Sequence, residues 1–542
     1  MLAQPSPLAS FPDFNGQKRT DLPARAAYAE GAGIFRIVPA GVAVPSTTRA
    51  LSELVAWAAA DRIALVPRGA GSGMVGGNLG QGVVVDLTAL DGGPLTMRVD
   101  ARLANAGASV SLRALNEDAN RGGLRLPPDP SSARFATLGG MLSTNASGPS
   151  SLRSGSVRDW VTAIEMITAD GLPMTLRRGA PPPETPTVAR FRQGAEPALL
   201  AARDAIRSRY PRTLKNSSGY ALDRWLDSGD LLDLVVGAEG TLGFITAAEW
   251  RLTPTPSRYG GVRAALSETA GLGEIVSALS GLAPSAVEYL DPTFLEFAGV
   301  RGGGEAGLLM VELEGEDTAE LAERLAGVRK ILAPHSGEVR EANDRGSLEA
   351  LWSVRHAASP MLARLGEGRR SLQVIEDACV PLAAMSRYIA AVRAAGKRHK
   401  VQLVIFGHAG SGNLHVNLLP DPAEKDWKTR MVAIFDEVTE VVVDVGGTPS
   451  GEHGDGRLRA HLLERIYGAE IVALFRLVKD AFDPAGILNP GVKLPSPDFQ
   501  PFENLKVGED AAILPPRIEA GLREIERSAG YSQSRLELSE VQ

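Results

Sequence analysis

Ile63-Ala64-Leu65-Val66, followed by Pro67-Arg68-Gly69-Ala70-Gly71-Ser72-Gly73-Met74-Val75-Gly76-Gly77, reads as an apolar strand running into a glycine-rich loop. Gly71 to Gly76 satisfies the dinucleotide pattern G-x-G-x-x-G. A second apolar run, Val83-Val84-Val85, ends on Asp86, where a Rossmann unit has its ribose-binding acid. The connection argues against that unit. A Rossmann crossover needs at least about ten residues able to be helical, whereas Met74 to Gly82 contains Gly76, Gly77, Gly80 and Gly82. Such a segment is a loop whose backbone N–H groups can wrap a pyrophosphate without a helix.

Two further glycine- and hydroxyl-rich blocks follow. One is Leu126-Pro127-Pro128-Asp129-Pro130-Ser131-Ser132 with Ala136-Thr137-Leu138-Gly139-Gly140-Met141-Leu142-Ser143-Thr144-Asn145-Ala146-Ser147-Gly148. The other is Val236-Gly237-Ala238-Glu239-Gly240-Thr241-Leu242-Gly243-Phe244-Ile245-Thr246. Any one reads equally well as an ordinary turn; three in this order do not.

Downstream, Gly407-His408-Ala409-Gly410-Ser411-Gly412-Asn413-Leu414-His415 and Gly451-Glu452-His453-Gly454 gather three of the seven histidines and a carboxylate. Val401–Phe406 and Leu414–Leu419 are apolar runs separated by a glycine-rich turn, as in a hairpin with His408 and His415 at its mouth. After an amphipathic stretch from Ala423 to Val443, a loop from Gly446 to Gly451 delivers Glu452 and His453. Two imidazoles and a carboxylate leave a divalent cation with open positions, and suit Zn first, with Mn, Fe or Co as alternatives. His408, His415 and Glu452 would then be the ligands and His453 a base. Two other readings remain open: histidines that only hydrogen-bond loops, and a hydrolytic metal site, although the His-Glu-x-x-His helix of metallopeptidases is missing.

The run from Pro67 to Gly77, the Pro-Pro-Asp-Pro-Ser-Ser and Ala-Thr-Leu-Gly-Gly-Met blocks, and Glu-Gly-Thr-Leu-Gly-Phe-Ile-Thr together resemble the FAD-binding domain of the vanillyl-alcohol-oxidase type flavoproteins. The His408 and Glu452 segments narrow the resemblance to FAD-linked D-2-hydroxy acid dehydrogenases, the group acting on D-lactate, glycolate and D-2-hydroxyglutarate. It covers Phe35 to Pro495, including the closing Phe482-Asp483-Pro484-Ala485-Gly486-Ile487-Leu488-Asn489-Pro490-Gly491.

The resemblance implies FAD contacts along Arg68 to Gly73, at Pro128, Asp129 and Ser131, at Thr137, Leu138, Gly139 and Gly140, at Asn145 and Ser147, at Gly240, Gly243 and Ile245, and at Asn489. It also implies the ligand set His408, His415 and Glu452 with His453 as base. Arg355 would hold the substrate carboxylate, which a guanidinium matches bidentately, and Asn413 would be a second contact. Members with covalent flavin place a histidine in the first glycine-rich loop; this loop has none, so non-covalent FAD is expected. The implied reaction is oxidation of a D-2-hydroxy acid to the 2-oxo acid, with hydride to flavin N5 and the hydroxyl proton to His453.

Departures from the family pattern bear on the substrate. Members acting on 2-hydroxyglutarate place a lysine two residues before the position of Asp377, and this chain has Ile375 there, which favours a monocarboxylate such as D-lactate. Gly410-Ser411-Gly412-Asn413 replaces the usual Gly-Asp-Gly-Asn, so metal binding could be weakened through groups around the ligands. Ile375-Glu376-Asp377-Ala378-Cys379-Val380-Pro381 resembles members with a fused iron–sulfur domain. The single cysteine, Cys379, makes no disulfide and no cluster site, and reads as a small buried hydrophobe. Electrons are therefore expected to leave for an external acceptor: a quinone, a cytochrome, an electron-transfer flavoprotein or an iron–sulfur subunit.

With 542 residues, 44% of them apolar, the chain can build several cores, and its net charge of -7 gives no case for nucleic acid. No signal peptide or membrane span is legible, so the expectation is a cytoplasmic protein, with room for peripheral attachment to the membrane and for a homodimer. The expected class is α+β. An arm over 1–33 precedes a two-part FAD-binding domain (34–255 and 444–495) and an α+β cap with an antiparallel sheet (256–443), and a tail over 496–542 includes a surface helix at Arg517–Arg527. Competing functions are a non-catalytic flavin subunit relaying electrons, and a transferase of the alkylglycerone-phosphate synthase type, whose His-His-His tract is missing here.

Overall fold

The computed structural model describes residues 8, 10–300, 304–356, 371–496, 500 and 502–540; the opening of the expected arm and short parts of the tail fall outside them. Strands β1 (Gly16–Arg19), β2 (Gly41–Pro45), β3 (Leu65–Arg68) and β4 (Val83–Asp86) form a sheet in the order β1-β2-β4-β3. β3 and β4 are parallel, with Arg68 opposite Asp86, and the connection between them contains no helix. Gly71 is one reason the loop can turn back so tightly: its φ is +77°, and a Cβ there would lie 2.4 Å from Arg68 Nη2.

Helix α1 (Thr48–Asp61) follows from local signals. Thr47 caps it by accepting a bond from Ala50 N at 3.2 Å. Leu51, Leu54, Val55 and Ala58 form one face and are fully buried against Leu65, Val83 and Val85. Each large side chain on that face contributes about 1.5–3 kcal/mol by leaving water.

A second sheet is antiparallel throughout. Its strands β5 (Thr96–Arg98), β6 (Leu103–Gly107), β7 (Val161–Ile167), β8 (Pro173–Arg177) and β9 (Phe244–Arg251) lie in the order β5-β6-β9-β7-β8. Helix α2 (Leu138–Thr144), capped by Thr137, starts at the second glycine-rich block, and the third block leads directly into β9.

The third sheet carries seven strands: β10 (Arg258–Leu266), β11 (Ala286–Leu290), β12 (Gly307–Gly315), β13 (Ser336–Ala342), β14 (Ala378–Cys379), β15 (Gln402–His408) and β16 (Asn413–Leu419). All pairings are antiparallel, in the order β13-β10-β12-β11-β15-β16-β14. β15 and β16 are the expected hairpin. His408 stands opposite Asn413 and Phe406 opposite His415, and Gly412 closes the turn at φ +73°, where a Cβ would sit 2.1 Å from Val380 O. Helix α3 (Arg345–His356) carries Arg355 and α4 (Trp427–Asp444) precedes the Glu452 loop. Among the described residues no helix is long and apolar enough to cross a membrane.

The tail corrects the expectation of a surface helix. Helix α5 (Pro516–Ser528) buries Ile518, Leu522 and Ile525, the first two among Ala24, Ala26, Tyr28, Val66 and Val84. The i, i+4, i+7 spacing of those three residues makes one apolar stripe, which explains why the helix docks.

Candidate functional site

One cavity of about 1370 Å³ is lined by all three glycine-rich blocks and by the histidine–carboxylate cluster. Of the expected cofactor residues, Arg68 to Gly73, Asp129, Ser131, Thr137, Gly139, Gly140, Ser147, Gly240, Gly243 and Ile245 lie in its wall. The first two blocks touch: a Cβ on Gly69 would fall 2.5 Å from Thr137 Oγ1. Asn78, also in the wall, has a buried side-chain oxygen with no hydrogen-bond partner. A long cavity edged by backbone-rich loops, with an unused buried acceptor, suits a nucleotide cofactor.

Four expected contacts stand behind the wall. Leu138 is fully buried in the core. Asn145 ends α2 in the left-handed conformation, and its Oδ1 accepts from Arg158 N at 3.3 Å. Asn489 donates to Gly77 O at 2.7 Å and Glu239 O at 2.8 Å, fastening the first glycine-rich loop to the third. Pro128 also lies outside the residues lining the cavity. The motif segments do line the cavity, but a strand or turn shows only some of its residues to one side.

In and just behind the same wall, His408 Nε2 lies 3.1 Å from Glu452 Oε1 and 3.4 Å from His415 Nε2, and His415 Nε2 lies 3.6 Å from Glu452 Oε1. Ligand atoms about 2.0–2.1 Å from one tetrahedral cation are spaced about 3.4 Å apart, so this set fits a metal. The other ring nitrogens are already engaged: His408 Nδ1 with Glu288 Oε1 at 2.5 Å and His415 Nδ1 with the Glu376 carbonyl at 2.7 Å. That arrangement fixes each imidazole with Nε2 toward the shared point. A larger grouping of Asp377, His415, Glu452 and His453 also comes within 4.8 Å. The Asp377 carboxylate, however, is occupied by Glu452 N, His453 N, Ser450 Oγ and Asn413 Nδ2, so it organises the loop.

Asn413 does not face the cavity, contrary to expectation. It is fully buried, donating to Asp377 Oδ1 at 3.0 Å and accepting from Lys215 Nζ at 3.3 Å. Its amide is taken up by Asp377 and Lys215, next to the cluster but outside the cavity wall.

His453 Nδ1 lies 2.5 Å from Glu376 Oε2, and its Nε2 is 3.6 Å from Glu452 Oε1. Arg459 holds the other Glu376 oxygen at 2.6 Å. Burial opposes charge on His453, but the Glu376 and Asp377 carboxylates outweigh it and carry the imidazole up to about 10. His415 moves the other way, down to about 4, through burial and the neighbouring His408 and His453. Glu452 is held well below the carboxylate range: burial opposes this, but Lys215 at 2.7 Å and His408 prevail.

Arg355 lines the cavity, and its Nε donates to Glu288 Oε2 at 2.7 Å. Glu288 thus joins the candidate substrate arginine to His408. Burial would raise Glu288 and Glu376, yet His408 and Arg355 bring the first down to about 2, and His453 and Arg459 do the same for the second. Carboxyls depressed in the folded state stabilise it above their ordinary value of 4.5, and lose that contribution as pH falls through about 2. An acid titration followed by tryptophan fluorescence should therefore show unfolding that begins below about pH 4.5.

Glu288, Glu376, Lys215 and Glu239 escaped sequence reasoning. Glu239 accepts from Asp455 N and Gly456 N at 2.8 and 2.9 Å, pinning the segment after His453 to the third glycine-rich block. Lone charged residues in apolar strands and loops carry a weak signal; only their burial marks them.

Residues 39–177 match the FAD binding domain family, and residues 262–492 the C-terminal domain of FAD linked oxidases. The chain belongs to the FAD-linked D-2-hydroxy acid dehydrogenase family, built on the vanillyl-alcohol-oxidase type fold. Its relatives include the D-lactate dehydrogenase of Archaeoglobus fulgidus, 31% identical over 463 residues that cover 83% of this chain and 90% of that one. They also include the glycolate oxidase subunit GlcD of Bacillus subtilis, 29% identical with 84% and 89% covered. The D-2-hydroxyglutarate dehydrogenase of Escherichia coli is 28% identical across 88% of this chain but half of its own length. Among solved structures, 4-ethylphenol oxidase from Gulosibacter chungangensis superposes with a TM-score of 0.63 at 15% identity, covering 89% and 94% of the two chains. An alkyldihydroxyacetonephosphate synthase does so with 0.62 at 16% identity, covering 88% and 83%. At these identities the likeness is one of fold.

Proposed function

We propose that this protein oxidises a D-2-hydroxy acid, with D-lactate the favoured substrate, to the 2-oxo acid, using non-covalent FAD and a divalent cation held by His408, His415 and Glu452. The observation that carries the reading is the convergence of His408 Nε2, His415 Nε2 and Glu452 Oε1, beside a carboxylate-paired His453, in the same cavity as the glycine-rich loops. What FAD supplies when bound is a hydride acceptor, and what the cation supplies is positive charge against the substrate hydroxyl.

The chain's own residues do the rest. Arg355, oriented by Glu288, binds the carboxylate. His453 keeps its Nδ1 proton on Glu376, which leaves Nε2 to take the hydroxyl proton. The Glu376 and Asp377 carboxylates favour the protonated imidazole. Added positive charge at the Glu452 oxygen lowers its pKa, so base function depends on the occupied metal site. The favoured monocarboxylate rests on Ile375, whose side chain is buried in the core and offers no cation to a second carboxylate. An external acceptor, from a quinone to a partner flavoprotein, completes the cycle.

The test is anaerobic bleaching of bound flavin in metal-loaded protein by D- and L-lactate, glycolate, D-2-hydroxyglutarate and longer D-2-hydroxy acids. D-lactate should bleach it fastest and L-lactate not at all. A chelator should abolish bleaching and leave the flavin bound, and restored Zn or Mn should recover it. Bleaching that ignores the chelator would remove the metal from the mechanism. No bleaching by any acid would favour the electron-relay role.

A further inference from the structure

Residues 502–540 lie beyond both family matches, which end at 177 and 492, yet they complete the cavity wall. Lys506, Arg523, Glu526, Arg527 and Tyr531 line it together with the first two glycine-rich blocks, Glu526 accepting from both Lys506 and Arg523 at 2.7 Å. The segment is tied to the loop side of the cavity. Arg36 N donates to Asn504 O at 2.7 Å and Lys506 N to Ile34 O at 2.9 Å, and Arg36 reaches Glu519 at 2.6 Å. Arg523 also pairs with buried Glu30.

Two features of this wall ask for a ligand. Tyr531 stands 5.1 Å from Phe135, ring to ring, and both line the cavity. Behind Tyr531, with its guanidinium 5.6 Å from the ring, Arg535 is 4% exposed, and its Nε and Nη1 have no hydrogen-bond partner. Arg68, another buried cation, is close enough to help burial depress Arg535 to about 10. Buried guanidinium donors without acceptors are costly, and a nearby anion offsets that cost.

We propose that the tail is part of the cofactor site and holds the adenosine diphosphate half of FAD, with Tyr531 beside Phe135 forming an aromatic surface for the adenine and the cationic side chains facing the diphosphate. The inference rests on the FAD reading of the cavity. The choice of half follows from the neighbours: the tail is bonded to Ile34 and Arg36 and packs on Phe135, whereas the histidine–carboxylate cluster, on other elements, requires the reacting flavin ring.

FMN lacks the adenosine half, so it discriminates. Affinities of the full-length, flavin-stripped protein for FAD and FMN are measured by fluorescence quenching for wild type, Tyr531→Ala and Arg527→Glu, the last at an exposed position, with thermal melting of each stripped protein as the fold control. Stacking on an aromatic side chain contributes about 1–3 kcal/mol per base, so Tyr531→Ala should weaken FAD about tenfold and leave FMN unchanged. Arg527→Glu should weaken FAD severalfold at low salt. FAD affinities within twofold of wild type in both variants, or equal losses for FAD and FMN, would overturn the proposal. Because binding is read without substrate, failure of wild-type bleaching would count against the hydroxy acid reading alone.

Discussion

His453→Ala is expected to keep FAD bound and to lose substrate-dependent flavin reduction by about 10²–10⁴-fold, the range for removing a positioned general base. The ring is partly exposed to the cavity, stacks on His415 at 5.3 Å and is gripped through Nδ1 by Glu376. Its removal leaves the buried Glu376–Arg459 pair in place, so the fold should tolerate it. Stopped-flow absorbance of the flavin checks the rate, and the visible spectrum of the purified variant checks cofactor content. Undiminished reduction would refute the base. The pH profile gives a second readout: reduction requires neutral His453 and so rises with pH, a dependence that the residual rate of His453→Ala should lack.

Glu288→Ala should be the most damaging single change outside the cofactor loops. Glu288 is fully buried on β11 and bonds both His408 and Arg355, themselves nearly buried. Deleting it strands a guanidinium and releases the imidazole. Breaking a buried pair by removing one partner costs about 3–5 kcal/mol. Urea unfolding should report that loss, and metal content by elemental analysis should fall as His408 loses its orientation. Glu288→Gln, which keeps the shape and one acceptor, should recover part of the stability but less of the metal. Wild-type stability and full metal occupancy in Glu288→Ala would show that the bridge carries no load.

Much of this could be read along the chain because the informative residues are neighbours in sequence. A glycine-rich connection too short and too flexible for a crossover helix separates this fold from a Rossmann unit, and β3 and β4 are indeed parallel with a helix-free loop between them. The hairpin was legible from two apolar runs around one turn. What sequence pattern handles poorly is facing. Asn413 shares the turn with His408 and His415, and only folding shows that its amide is taken by Asp377, 36 residues away. The tail helix had an apolar stripe but no visible partner until Tyr28, Val66 and Val84 met it.

By itself, then, the sequence determined the glycine-rich loops, the hairpin that carries His408 and His415, and the antiparallel cap, because turn chemistry, glycine φ and apolar patterning are local properties. Only the tertiary structure decided that Glu288 joins Arg355 to His408 across 67 and 120 residues, that Glu376 orients His453, and that the tail walls the cavity. Burial is the physical reason: a carboxylate acquires its partner and its depressed pKa only when folding removes water from it, and nothing within a few residues of Glu288 announces where that will happen.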